Sequence, residues 1–251
     1  MMRTLIISLT AGAMLACGAA FAADVPAYVS TAIADRGRPA EDVARDADRK
    51  PAEMLEFAGI KPGMTVVDLI PGKGYFTKIS AKAVGPKGHV YAYVPSELDA
   101  IMQKHNVPIP SGTDPNYPNV TYIHAPLSTF STPEPVDVVW TSQNYHDMHD
   151  PFMGPADMAK VNAAIFKALK PGGNYIVLDH AAEAGSGTRD TDTLHRIDPA
   201  VVKSEVTAAG FRFVSEDNAL RNPADPHTAK VFDKSIRGHT DQFIYKFEKP
   251  K

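Results

Sequence analysis

From residue 51 onward, apolar positions recur along the chain with two different periods. Short runs rich in Val, Ile and Tyr predict buried strands, whereas an apolar stripe every three to four residues predicts helices. The runs predicted as strands are 65–70, 89–94, 120–125, 136–142 and 174–181, and the main segments predicted as helices are 51–58, 76–83, 96–105, 155–169 and 199–211. This alternation of apolar strands and helices predicts a mainly parallel sheet covered on both faces.

The last two apolar segments, 211–220 and 241–249, follow one predicted helix and a long loop. Such an arrangement suits an antiparallel hairpin at the edge of the sheet. The predicted fold class is therefore α/β. We expect a Rossmann-like, doubly wound, mainly parallel seven-stranded sheet with an antiparallel C-terminal hairpin.

The first 22 residues have the pattern of a signal peptide. Arg3 supplies a positive start, residues 4–15 are uncharged and mostly apolar, and Ala20-Phe21-Ala22 fits a cleavage site between Ala22 and Ala23. We expect a periplasmic or secreted protein with an N-terminal arm over 23–50, a short helix within it, and a single domain over 51–251. An uncleaved anchor and lipidation at Cys17 are the alternatives.

Composition narrows the classes of function. Cys17 is the only cysteine, so the mature chain has no disulfide, catalytic thiol or cysteine metal site. Without Arg3, 25 basic and 29 acidic residues remain, which gives no electrostatic basis for binding nucleic acid. After the signal peptide no stretch is long and apolar enough to insert stably in a membrane. A small-molecule substrate is the expected partner.

Three motifs occur in an order that resembles the class I S-adenosylmethionine-dependent methyltransferase family. They are PGMTVVDLIPGKGYFT, KALKPGGNYIVLDH and AAGFRFVSE, and the resemblance covers roughly residues 50 to 250. The segments QNYHDMHD and GHTDQFIYKF resemble a branch of predicted methyltransferases that often carry signal peptides. The resemblance implies S-adenosyl-L-methionine as cofactor. It places the cofactor-binding residues at Asp68, Pro71, Gly72, Gly74, Tyr75, Glu97 and Asn144.

The glycine-rich loop supports a nucleoside ligand on physical grounds. Gly72 and Gly74 follow the carboxyl end of a predicted strand, where open α/β sheets bind ligands and where glycine lets the backbone approach closely. Lys73 lies between them and no Gly-Lys-Ser/Thr follows, so a Walker-type phosphate loop is not expected. A purely structural turn is the alternative.

The sequence departs from the family pattern at three positions. Ile70 replaces the usual first glycine of the loop. Val94-Pro95 replaces the acid that holds the ribose, for which Glu97 is the nearest substitute. The third strand ends in His124-Ala125-Pro126 instead of an acid that faces the adenine.

The segment SQNYHDMHD follows the fourth predicted strand, at the crevice edge of the sheet. The resemblance places this loop beside the reacting methyl group. His146 and Asp147 are the candidate bases, and Tyr145 and Asn144 are candidate positioning groups. A loop whose His and Asp side chains only bond local backbone is the alternative.

A metal site in the same region is a further alternative, although we expect no native metal. His146 and His149 are three residues apart, and Asp147 and Asp150 add oxygen ligands. The next strand ends in Asp179-His180, and His195 lies on the loop after it. The sequence thus leaves three functions open: an exported methyltransferase, a periplasmic ligand-binding protein, or a metal-dependent enzyme on the same fold.

Overall fold

The computed structural model of the chain describes residues 25–251. The predicted signal peptide and its predicted cleavage site lie outside the described residues. The helices of the described part are α1 (Ala27–Ile33), α2 (Ala40–Val43), α3 (Asp46–Arg49), α4 (Pro51–Ala58), α5 (Tyr75–Val84), α6 (Asp99–Lys104), α7 (Met158–Ala168), α8 (Thr191–Leu194) and α9 (Pro199–Ala208). The strands are β1 (Thr65–Leu69), β2 (His89–Pro95), β3 (Gly112–Thr113), β4 (Val120–Ala125), β5 (Val136–Ser142), β6 (Leu169–His180), β7 (Arg212–Asp217) and β8 (Gln242–Glu248).

All strands form one sheet in the order β3-β4-β2-β1-β5-β6-β8-β7. The five strands from β4 to β6 in this order are parallel, and β8 lies antiparallel between β6 and β7. The predicted Rossmann-like sheet with antiparallel C-terminal strands is thereby confirmed. The strand count is eight instead of seven because the exposed two-residue β3 pairs with β4. Two exposed residues in a Pro-rich loop carry no apolar pattern from which a strand could be predicted.

The sheet separates two apolar layers. Alternate residues of β1 face opposite sides, so that Val67 and Leu69 belong to one cluster and Val66 to the other. Helices α7 and α9 cover the first face, and α1, α4 and α5 cover the second. Burial on both faces explains why every residue of β1 is buried.

The start of β6 differs from the sequence prediction. The sequence predicts a helix that ends at residue 169 and a strand that begins at residue 174, with Pro171 and two glycines between them. In the structure residues 169–173 already belong to β6, with a shift in register between Val136 and Val138 of the partner strand. The shift accommodates the residues that cannot continue a regular ladder.

The segment before α4 is more ordered than a partly ordered arm with one short helix. It contains α1, α2 and α3, and α1 buries Val29 and Ala32 in the cluster that α5 shares. The apolar face of α1 is made largely of alanine and valine, which is why its pattern is weak in an Ala- and Asp-rich stretch. Among the described residues, no helix is both long and apolar enough to cross a bilayer.

Arg38 joins the arm to the domain. Its guanidinium is inaccessible to solvent, donates to the Ile33 carbonyl at 2.6 Å and forms a two-pronged ion pair with Asp46. Asp46 also accepts a hydrogen bond of 2.6 Å from the hydroxyl of Tyr75, at the start of α5. The three side chains hold α3 against the glycine-rich loop.

We expect Arg38→Ala to lower the free energy of unfolding by about 3 kcal/mol, because it removes the cation that pairs with Asp46 and leaves that carboxylate with only the Tyr75 hydroxyl. Arg36→Ala, a change at an exposed arginine two residues away, is expected to have an effect within about 0.5 kcal/mol. Urea unfolding followed by far-UV circular dichroism measures both. Equal effects of the two substitutions would contradict a central role for Arg38.

Candidate functional site

The crevice at the top of the sheet forms where β1 and β5 end side by side. The chain leaves both strands through a non-glycine residue in the left-handed region: Ile70 has φ 60° and Gln143 has φ 63°. The amide of Ile70 still donates to Tyr93 and that of Gln143 to Leu178, at 2.9 and 2.7 Å. Strand order reverses at β1, and ligands of doubly wound sheets bind at such a switch point. The strained β-branched Ile70 stands where a glycine is usual.

The two loop glycines have different surroundings. Gly72 has φ 56°, lines the crevice, and has no atom within 4 Å of an added Cβ. Gly74 has φ 75° and precedes the first turn of α5, and an added Cβ would meet Thr77 at 3.6 Å. Gly74 therefore shapes the turn, and Gly72 is the glycine that leaves room for a ligand.

The crevice has a volume of about 190 Å³. Five residues named from the sequence line it, namely Asp68, Pro71, Gly72, Tyr75 and Asn144. The side chain of Asn144 donates to the carbonyls of Ile70 and Ser142, at 2.9 and 2.6 Å, and so ties the two strand ends together.

Asp68 is the acidic residue of the crevice wall. Burial raises the pKa of its carboxyl to about 6, although the hydroxyl of Thr77, at 2.5 Å, and the charge of Arg49 oppose this shift. The carboxyl is therefore held close to the pH at which it changes charge, and a cation in the crevice would stabilise its ionised form.

Arg49 enters the crevice from the arm and was missed by the sequence analysis. Its guanidinium donates to the Gln143 amide oxygen at 2.6 Å and lies over the rings of Tyr75 and Phe76, at 4.6 and 5.2 Å. Burial lowers its pKa to about 10, so it remains a cation at neutral pH. Arg45, one turn earlier, also lines the crevice. The feature of the sequence that could have revealed Arg49 is a pair of arginines, four residues apart, just before the domain.

Glu97 does not reach the crevice. Its carboxylate accepts the amide of Leu127 at 3.0 Å and caps the short turn after β4. The end of β2 is formed by buried Val94 and Pro95. Glu97 is therefore not in position to replace the acid expected to hold a ribose.

Tyr145 lies in the core and not beside a substrate. It is fully buried, its hydroxyl donates to Glu205 at 2.8 Å, and the same oxygen accepts from Asn162 at 2.9 Å. These contacts connect the loop after β5 with α7 and α9. Tyr145 therefore packs in the core, whereas the sequence analysis predicted that it positions the substrate.

His146 is held between two carboxylates. Its Nδ1 lies 2.8 Å from Asp179, and its Nε2 lies 3.2 Å from Asp147. Burial favours the neutral ring, but the charge of Asp179 and the bonds to both carboxylates outweigh it and raise the pKa to about 10. The two carboxylates favour the charged imidazolium, and in that form the ring has no free nitrogen to accept a proton. This state argues against the predicted role of His146 as a general base.

The histidines of this region separate into two groups. His195 comes within 3.8 Å of Asp147, whereas His149 points to Glu205 at 3.3 Å. The pair spaced three residues apart, His146 and His149, therefore does not converge. The long loop after β6 brings His195 into the position that sequence spacing suggested for His149.

No protein-family model and no curated protein matches the chain by sequence. Solved structures match it by shape. One is an S-adenosylmethionine-dependent methyltransferase from Aquifex aeolicus, at 19% identity and a TM-score of 0.52 over 81% of this chain and 97% of that one. Another is the N-methyltransferase NodS from Bradyrhizobium japonicum, at 12% identity and a TM-score of 0.51 over 84% and 99%.

The chain has the class I methyltransferase fold. The same fold also carries other chemistry, because the [4+2]-cyclase SpnF matches with 16% identity and a TM-score of 0.55 over 81% of both chains. In this methyltransferase fold the Asp68 crevice occupies the switch point of the sheet, and the His146 group follows the neighbouring strand β5. Activity therefore has to be argued from the residues of the crevice.

The raised pKa of Asp68 predicts a pH-dependent stability. Below about pH 4 the carboxyl is protonated in both the folded and the unfolded chain, so it contributes no difference. Between about pH 4 and pH 6 the unfolded chain ionises first, and stability falls by on the order of 3 kcal/mol as the pH rises. Asp68→Asn removes this loss, so its stability relative to the wild type should grow over that range.

Urea unfolding at a series of pH values measures the difference. Asp192→Asn, a change at an exposed carboxylate, is the control and is expected to follow the wild-type curve. A difference in the free energy of unfolding between Asp68→Asn and the wild type that stays constant from pH 4 to pH 7 would show that ionisation of Asp68 does not destabilise the fold.

Proposed function

We propose that the chain is an exported S-adenosylmethionine-dependent methyltransferase that acts on a small molecule. The observation that carries the proposal is the charge arrangement of the crevice at the end of β1, which is lined by Asp68 together with Arg45 and Arg49. The fold supports the same conclusion, because it is the fold of methyltransferases from several organisms.

The amino-acid end of the cofactor fits these side chains. Asp68 offers a buried carboxylate to an ammonium group, and the guanidinium groups of Arg45 and Arg49 offer donors to a carboxylate. Gly72 leaves the backbone open to the ligand. When bound, the cofactor supplies a methyl group on an activated sulfonium, so the protein mainly has to align the acceptor.

The loop after β5 supplies the groups for the acceptor side. Asp147, the partly exposed carboxylate of this loop, is the group that can take a proton from a hydroxyl or amine acceptor. Its carboxylate is partly exposed and its pKa is lowered: hydrogen bonds with His146 and His195 outweigh the effect of burial. Asn144 holds the two strand ends at the distance that the crevice requires.

A second function is favoured by one specific observation. Three cations, Arg45, Arg49 and Lys73, line the crevice against the single acid Asp68, and β2 ends without a carboxylate. A crevice with this balance suits a small organic anion. A periplasmic binding protein for such an anion is therefore the competing proposal.

Isothermal titration of the purified chain with S-adenosylmethionine and S-adenosylhomocysteine tests the cofactor. We expect binding of both, weakened at least tenfold by Gly72→Val, because the side chain enters the crevice. Arg49→Gln should also weaken binding at least tenfold, because a charge-assisted hydrogen bond is lost. Gly63→Val is the matched control: Gly63 also has positive φ and free space for a Cβ, but lies before β1.

The result distinguishes the two proposals. Equal weakening by Gly63→Val would mean that backbone strain, and not the crevice, controls binding. No heat with either nucleoside at about millimolar concentration, together with binding of small carboxylates that depends on Arg49, would replace the methyltransferase with the anion-binding protein.

Export is proposed from Arg3, the apolar stretch 4–15 and Ala20-Phe21-Ala22. We expect expression of the full-length chain in a Gram-negative host to give a mature periplasmic protein that begins at Ala23. Amino-terminal sequencing after osmotic shock measures this. Ala22→Glu is expected to block cleavage, because signal cleavage requires a small residue there. An uncleaved wild-type chain in the cytosolic fraction would contradict export.

A further inference from the structure

Two segments distant in sequence bring three potential metal ligands together. His146 and Asp147 lie in the short turn His146–His149 after β5, and His195 follows α8 on the loop after β6. One ligand atom from each side chain lies within 4.8 Å of the other two. His146 is buried, whereas Asp147 and His195 are partly exposed, so the cluster is open on one side.

The distances between these atoms suit a single cation. The Asp147 oxygen lies 3.2 Å from His146 Nε2 and 3.8 Å from His195 Nδ1. Ligands at about 2.1 Å from a tetrahedral zinc ion are separated by about 3.4 Å. The two contacts lie on either side of this value, and the ligand atoms of His146 and His195 lie within 4.8 Å of each other, so the side chains of Asp147 and His195 would have to adjust for all three to reach one ion.

The structure also provides the support that metal-binding histidines require. Asp179 is fully buried and accepts hydrogen bonds from the backbone amides of His146 and His180, at 2.8 and 2.7 Å. Its other contact is with Nδ1 of His146, at 2.8 Å. Because Asp179 engages Nδ1, Nε2 is the nitrogen directed at Asp147, and a metal ion bound there would take the place of the Nε2 proton, as in carboxylate–histidine–metal arrangements.

Asp150 gives a second and independent indication of a cation. It ends the same turn and is completely buried, and within the described part of the chain its carboxylate has no well-formed hydrogen bond, only an interaction with the Thr191 hydroxyl. A poorly paired buried carboxylate is costly, and a divalent cation bound by the other residues of this turn would help to compensate its charge.

We propose that His146, Asp147 and His195 bind one divalent transition-metal ion, with zinc the preferred ion. Two imidazoles and one carboxylate are typical zinc ligands, whereas Mg²⁺ and Ca²⁺ prefer oxygen donors alone. Three protein ligands leave a coordination position for water or a substrate oxygen. The metal site is a property separate from methyl transfer and does not depend on it. When the metal is bound, the Asp147 carboxylate is a ligand and is no longer a free carboxylate.

Metal binding is tested on the full chain purified without a polyhistidine tag. After dialysis against a chelator, the protein is titrated with Zn²⁺ in competition with a chromophoric chelator, and bound zinc is counted by elemental analysis. We expect one zinc per chain. His195→Asn and Asp147→Asn should each weaken binding at least tenfold. Binding of Co²⁺ should give the visible absorption of a low-coordinate nitrogen and oxygen site, and each variant should lose it.

Two histidine variants serve as controls. His149→Asn lies in the same turn but faces Glu205, and His105→Asn lies on the exposed end of α6. Both should bind zinc with wild-type affinity. Thermal unfolding of every apo variant checks that the fold is retained. His195 is the main test residue, because its ring is partly exposed and its replacement should disturb the fold less than replacement of the buried His146. Less than one half zinc per chain, or a change below about threefold in both His195→Asn and Asp147→Asn, would overturn the proposal.

Discussion

The crevice depends on how two neighbouring parallel strands end. Ile70 and Gln143 both turn the chain into the left-handed region directly after β1 and β5, so the two connections diverge and leave a gap. Asn144 fixes the gap by donating to the carbonyl of Ile70 from the opposite strand. The glycine-rich loop, the contact with the arm and the start of the histidine loop all follow from this arrangement. The strain of two non-glycine residues at positive φ is located where the ligand is expected.

The arm contributes positively charged side chains to a crevice whose wall also carries a carboxylate. Arg38, Asp46 and Tyr75 hold α3 in place, and α3 in turn directs Arg49 to Gln143 across the opening. A carboxylate at the end of β1 therefore faces guanidinium groups that come from outside the sheet domain. This pairing of opposite charges matches a ligand that carries both an ammonium and a carboxylate group, which connects a packing feature of the arm with the proposed cofactor.

The sheet could be predicted from the sequence because its parallel strands are buried on both faces and read as apolar runs, as in Val66 to Leu69. Positions next to strand ends, such as Asp68 and Gly72, were predictable for the same reason. The sequence analysis missed Arg49, since its role depends on the packing of an arm with a weak apolar pattern. It paired His146 with His149, because the convergence of His195 depends on the path of a long loop. The inward position of Tyr145 could not be predicted, because a polar residue after a strand can equally turn into the core, where Asn162 and Glu205 satisfy it.

The proposed cofactor contacts the arm, the loop after β1 and the loop after β5 at the same time. Hydrogen–deuterium exchange of the chain with and without S-adenosylhomocysteine measures these three segments in one experiment. We predict slower exchange in residues 45–50, 70–76 and 142–146, with no change at the distant edge formed by β3 and β4. Unchanged exchange in all three segments at saturating nucleoside, or protection confined to the distant edge, would contradict the account.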